Sequence, residues 1–220
     1  MKKIISIIAL ALVGLHVQAQ SLWDKSAPDD RLTFGLRAGV NFATTDADEA
    51  NSTVTHYHIG LAVDYNIIKS FSISSGLYIV EKGFKGNYPE LTRTVTAAYT
   101  DTKSNLTATY LQIPLMASWR IEARSGVQFH INIGPYFAFG IGGSAVYKPY
   151  DMTYAREYDQ DTFGDKGFWL RNDVGIKAGI GVLIKKAYAE VSYDYGLKNV
   201  AKVYGDFHTR NVNMTIGCNF

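Results

Sequence analysis

The sequence predicts an all-β protein, a single eight-stranded antiparallel transmembrane β-barrel of up-and-down topology. Three observations predict it. Apolar residues recur at every second position in eight segments after residue 30. The glycines of those segments lie on the opposite, polar face, and the connections alternate between short and long. The 15 Tyr, 11 Phe and 3 Trp also fit an architecture with an aromatic girdle at each membrane interface.

The chain opens on Met1-Lys2-Lys3, continues with an apolar run over 4–13, and reaches Val17-Gln18-Ala19 before Gln20. This is the three-part pattern of a secretory signal peptide, residues 1–19, cleaved after Ala19. Residues 20–30 read as a periplasmic lead-in and 31–220 as the barrel. No later apolar run approaches the roughly 18 residues of a transmembrane helix, and a lone Cys218 excludes an internal disulfide. Cleavage removes Lys2 and Lys3, leaving basic and acidic residues equal in number, which gives no surface for nucleic acid.

The first strand places Leu32, Phe34, Leu36, Ala38, Val40 and Phe42 on one face. The second places Tyr57, Ile59, Leu61, Val63 and Tyr65 there, and the third Phe71, Ile73, Ser75, Leu77 and Ile79. The fourth alternates from Leu111 to Ile121 and the fifth from Val127 to Ile141. The last three alternate over 174–184, 187–197 and 212–220. None of these positions is charged and only Ser75 is plainly polar, although 19% of the chain is charged.

The opposite faces carry Arg37, Asp64, Arg120, Asp173, Lys177, Glu190 and Asp194, together with Gly35, Gly39, Gly60, Gly134, Gly175, Gly179 and Gly217. Small residues belong where side chains converge in a narrow interior, so the polar face is the inside of the barrel. Water cannot be the solvent outside. Short turns over 66–70, 122–126 and at Lys185-Lys186 belong to the periplasmic end; the long connections, about 44–55, 85–106, 143–168 and 198–208, belong to the outer end. Outward Phe34, Tyr65, Phe71, Trp119, Phe129 and Phe220 then form one girdle, and Phe42, Tyr57, Phe137, Phe139, Phe168 and Tyr195 the other. Pro114 and Pro135 are read as bulges in adjacent strands, the third strand as leaving the membrane by Glu81, and the Gly140–Gly143 run as the end of the fifth.

Several stretches resemble one family in their order and spacing: YLQIPLMASW from Tyr110, Gly134-Pro135-Tyr136, Asp173-Val174-Gly175, YDYGLKN from Tyr193, and a final Phe220. They resemble the outer-membrane β-barrel family typified by PorT, abundant in Bacteroidetes and often labelled "porin family", over about residues 30–220. The resemblance implies an eight-stranded barrel inserted by the barrel-assembly machinery, tolerance of both prolines, no catalytic residues, and for PorT itself an association with protein secretion.

Of the candidate chemistries, His56 and His58 share the inner face, but further metal ligands are not evident. Asp46, Asp48 and Glu49 lack the glycine and terminal glutamate of a dedicated calcium loop. Glu190 and Asp194 are a carboxylate pair of the kind acid/base catalysis uses. Their more economical role is mutual neutralisation with inward cations, Arg37 and Arg120 facing acids on strands six to eight. No Ser-His-Asp, Cys-His or two-metal arrangement stands out, so no enzyme and no cofactor is expected. The loop carrying Tyr147, Tyr150, Tyr154, Arg156 and Tyr158 has the composition of a binding surface. The sequence therefore predicts an outer-membrane protein, in contact with outer-membrane lipid, whose external loops bind an envelope protein or extracellular ligand. Its alternatives are a small-solute channel and an accessory component of a secretion system.

Overall fold

A computed structural model describes residues 23–46, 52–87, 102–123, 126–149, 158–164, 167, 169–202 and 206–220. It contains nine strands: β1 (Leu32–Thr45), β2 (Val54–Ile68), β3 (Phe71–Asn87), β4 (Thr102–Ala123), β5 (Val127–Pro149), β6 (Tyr158–Asp161), β7 (Asn172–Ile184), β8 (Ala187–Gly196) and β9 (Thr209–Asn219). Eight of them close a barrel. Every adjacent pair is antiparallel, and β1 pairs with both β2 and β9 to seal the ring. Strand β6 lies outside the ring, paired to the upper part of β5.

The phase of each strand decides which side chains fill the ring. In β1, Leu36 is 49% exposed while its neighbour Arg37 is 3% exposed; in β7 and β8, Ile176 and Val191 point outward while Asp173 and Asp194 are fully buried. A belt of Leu, Ile, Val and Phe thus faces out around the barrel, and arginines, asparagines, histidines and carboxylates face in. In water that belt would be a very large exposed apolar patch; in acyl chains it is the stable arrangement.

At the turn end, where Trp23 and Phe220 also lie, the lead-in crosses the β2–β3 turn. Ser70 Oγ donates to the Asp24 carbonyl at 2.7 Å, Asn66 Nδ2 to the Asp30 carbonyl at 2.7 Å, and the Trp23 ring sits 6.2 Å from Phe71 and 6.1 Å from Trp119. The Ser26 N–H bonded to the Asp24 carboxylate holds that exposed group below the usual carboxylate range. The two-residue turn after β7 places Lys185 at φ 56, a left-handed conformation that costs a non-glycine residue about 1–2 kcal/mol.

Three expectations are corrected. The prolines are not bulges: the β3–β4 and β4–β5 ladders lose pairs around Pro114 and Pro135 but resume in the same register. The freed Pro114 carbonyl accepts a hydrogen bond from Ser75 Oγ at 2.8 Å. Backbone groups in a bilayer must be satisfied within the protein, so the polar residue of the lipid-facing set has a role. The register shift in the β4–β5 ladder lies instead between Thr109 and Tyr110, opposite the Gly140–Gly143 run, which therefore continues β5 rather than ending it.

Finally, β3, β4 and β5 run well past the expected ends. Strand β5 pairs with β7 only as far as Phe139↔Asn172 and continues to Pro149, roughly 30 Å more of strand at about 3.3 Å per residue. Along this extension the polarity inverts. Val80, Phe84, Leu106 and Ala108 turn inward, while Glu81, Lys85, Asn105 and Thr107 occupy the outward phase. That inversion is what a strand needs on leaving lipid for water.

Candidate functional site

Side chains from widely separated strands meet inside the barrel in three tiers. In the tier nearest the turn end, Arg37 Nη2 donates to Asn219 Oδ1 at 2.5 Å and its guanidinium lies 3.9 Å over the Tyr188 ring. Tyr188 Oη donates to Glu190 Oε2 at 2.7 Å, as does Asn132 Nδ2 at 2.5 Å. Arg120 lies 3.7 Å from Asp64. The expected partnership of Arg37 and Arg120 with acids on the last three barrel strands is thus corrected: Arg120 reaches Asp64 on β2, and the contacts of Arg37 are an amide, backbone carbonyls and an aromatic ring. Each inward arginine finds its partners on strands nearby around the ring rather than across it.

In the middle tier Lys177 Nζ donates to Asp194 Oδ1 at 2.8 Å, and Gln112 Nε2 reaches Asp194 Oδ2 at 3.3 Å from β4, three strands away around the ring. His58 Nε2 lies 3.0 Å from Thr215 Oγ1. The upper tier is centred on Asp173. Its Oδ2 accepts from Lys82 Nζ at 2.8 Å, Thr209 Oγ1 at 2.8 Å and Tyr136 Oη at 3.3 Å, and Lys82 lies 4.4 Å over the Tyr136 ring. Lys82 comes from β3 and Asp173 from β7, three strands apart around the ring, so their bond is a chord through the lumen, while Thr209 joins from β9, one strand beyond β8.

Above them sits an apolar cap of Phe84, Leu106, Phe163, Trp169, Val200 and Phe207. Phe84 packs 5.8 Å from Trp169 and 6.2 Å from Phe207, and Phe163 meets Tyr110 edge-on at 5.4 Å. The segments carrying the cap are tied down locally. Asn199 Oδ1 accepts from the Ala201 and Phe207 N–H groups, and Leu170 N donates to the Val200 carbonyl at 2.8 Å. Gly140 is required beneath Phe163, because a Cβ there would fall 2.3 Å from its ring.

The structure therefore brings together six of the seven expected inward ions as three close groupings, Arg120–Asp64, Lys177–Asp194 and Arg37 with Glu190 through Tyr188, and places Asp173 in a separate one. Lys82, Tyr136, Thr209 and the cap were not among the sequence-predicted site residues; the alternation that persists beyond Glu81 was a signal for Phe84 and Leu106, and the inward phase of the fifth strand one for Tyr136. His56 and His58 are divided between Glu81, 3.4 Å from His56 Nδ1, and Thr215. Among the described residues no cluster of three or more His, Cys, Asp or Glu side chains could hold a metal. Asp46 pairs with Arg210 at 2.7 Å and His208 at 3.1 Å; Asp48, Glu49, residues 1–19 and Phe168 lie outside the described residues. Of the expected binding loop, Tyr147 and Tyr158 stand opposite each other in the β5–β6 register, and Tyr150, Tyr154 and Arg156 lie outside the described residues.

A closed ring of antiparallel strands with a polar filled interior and an apolar exterior defines a transmembrane β-barrel of the outer-membrane type. The chain belongs to the outer membrane protein beta-barrel domain family, whose model matches residues 18–202, and this family places it in the outer membrane. No curated protein matches it. Among solved structures it is similar to a major outer membrane protein from Thermus thermophilus, at 8% identity over 87% of this chain and 100% of that one, with a TM-score of 0.50. It is also similar to OprG from Pseudomonas aeruginosa, at 12% identity over 90% and 98% with a TM-score of 0.46. A third is Ail of Yersinia pestis, at 10% identity over 87% and 100% with a TM-score of 0.43.

Proposed function

We propose that this protein is a non-catalytic outer-membrane barrel whose loop end binds a partner, another envelope protein or an extracellular molecule, through Tyr147, Tyr150, Tyr154, Arg156 and Tyr158. One observation carries the reading: β3, β4 and β5 rise past the rim and β6 pairs with the risen part of β5, while the lumen below is crossed by the Lys82–Asp173 and Gln112–Asp194 contacts and covered by the apolar cap. Material is spent on an external platform, not on a pore. The motifs that begin at Tyr110 and Tyr193 support a finer placement in the PorT-like branch found in Bacteroidetes. The pattern of residues 1–19 supports export with cleavage after Ala19, followed by insertion through the barrel-assembly machinery.

Two measurements test this. In planar bilayers the protein should give no steady single-channel current; such currents would reject the reading in favour of a small-solute channel. Capture from intact envelopes should recover a discrete partner with the native loop and lose it when Tyr150, Tyr154 and Arg156 are changed together to alanine. Equal capture by both proteins would move the function elsewhere on the barrel.

A further inference from the structure

Between the two lower tiers the lumen holds a chamber of about 60 Å³, room for roughly four to six water-sized positions. Its ionised lining residues are Arg37, Asp64, Lys177, Glu190 and Asp194. Charges taken out of water are costly unless each meets its opposite. Asp194 has Lys177 at 2.8 Å, and Asp64 has Arg120 at 3.7 Å. Arg37 and Glu190 have no such partner among the described residues. The contacts of Arg37 are the Leu36 and Cys218 carbonyls, the Asn219 amide and the Tyr188 ring; those of Glu190 are the Tyr188 hydroxyl and the Asn132 amide. One cation and one carboxylate on the same wall are left without a counter-charge.

Each of the two also keeps a hydrogen-bonding atom that a water-sized group can touch. The bonds of Arg37 use Nη1 and Nη2 and leave Nε, and those of Glu190 use Oε2 and leave Oε1; neither Nε nor Oε1 is among the atoms sealed away inside the protein. The wall is shaped around both groups. Arg37 lies along Gly35 and Gly217, where a Cβ would collide with its Nη1 and Cδ, and Glu190 lies against Gly179, where a Cβ would come 3.1 Å from its carboxyl carbon. Tyr188 stands between them, its ring 3.9 Å from the guanidinium and its hydroxyl 2.7 Å from the carboxylate, so the two charges are held a ring's length apart. We propose that this chamber binds a small zwitterion, a carboxylate and an ammonium group one carbon apart, of the size of glycine or alanine. Its carboxylate accepts from Arg37 Nε and its ammonium donates to Glu190 Oε1, both charge-assisted bonds. One carbon with a hydrogen bond of about 2.8 Å at each end matches a separation of that order. A lone anion or a lone cation leaves one wall charge unmatched, and a neutral solute leaves both. The site is independent of the loop-end partner.

The test uses the full chain with 13C-methyl methionine, refolded into lipid in the presence of glycine or alanine so that entry is not limiting. The Met116 methyl reports on the chamber, and Met214, on the outward face, is the control. The expected result is a saturable shift of Met116 with Met214 unmoved, and no such shift with acetate, methylammonium or neutral acetamide. Glu190→Gln keeps the shape of the side chain and removes its charge. Glycine should then lose its effect and acetate gain one, because Arg37 alone stays unmatched. Arg37→Gln should do the reverse, losing the response to glycine and gaining one to methylammonium. No saturable shift with glycine in the native protein, an equal shift with acetate, methylammonium or acetamide, or a response to glycine that survives Glu190→Gln would overturn the proposal.

Discussion

Lys82 Nζ lies 2.8 Å from Asp173 Oδ2, and both side chains are almost wholly buried. The pair ties β3 to β7 through the interior, where no backbone ladder joins them. Lys82→Met would leave Asp173 buried with only the Thr209 and Tyr136 hydroxyls, a loss of about 3–5 kcal/mol for an ion pair broken from one side. Lys82→Met combined with Asp173→Asn should recover most of it, since the uncompensated charge is gone. Urea unfolding in lipid bilayers measures both; a single variant as stable as the parent would show that the pair contributes nothing.

Ser75→Ala has an expected sign opposite to the one hydropathy suggests. Replacing a hydroxyl by a methyl on a lipid-facing surface should favour insertion, yet it strands the Pro114 carbonyl that Ser75 Oγ bonds at 2.8 Å. An unsatisfied buried acceptor costs about 1–3 kcal/mol, so the variant should unfold at lower urea. Unfolding at higher urea would mean that the carbonyl needs no donor.

Gly140→Val should displace Phe163, whose ring leaves no space for a Cβ, at a cost of about 1–3 kcal/mol for an overpacked site. Hydrogen exchange should then quicken at the Thr162 and Trp169 amides, which bond to the Gly143 and Thr162 carbonyls. Single-channel recordings should stay silent, because the Lys82–Asp173 and Gln112–Asp194 contacts lie below the cap. A variant that conducts would assign the whole seal to the cap.

Much of this architecture was legible in the sequence because a strand with lipid on one side and a polar lumen on the other has only one workable phase. Leu36 beside Arg37, and Ile176 beside Lys177, reveal it without any knowledge of strand pairing. What escaped the reading escaped for a physical reason. Beyond Ile79 the outer solvent becomes water, so Glu81 on the outward phase looks like an ended strand although it is a continuing one, and Lys82 and Phe84 were lost from the interior with it. The ladder gaps at Pro114 and Pro135 were visible as prolines. That they leave register untouched depends on neighbouring strands, and so does the choice of Asp64 over more distant acids as the partner of Arg120. The loop tyrosines were found by composition alone, which indicates contact chemistry but no geometry.

The orientation of the two faces is tested most directly by a nitroxide scan of β9. With Cys218 changed to serine, single cysteines at positions 212 to 216 are labelled in bilayers and their collision rates with dissolved oxygen, which concentrates among acyl chains, are compared. High rates are expected at Val212, Met214 and Ile216, which are exposed, and low rates at Asn213 and Thr215, which are buried. The opposite phase, or no alternation at all, would contradict it.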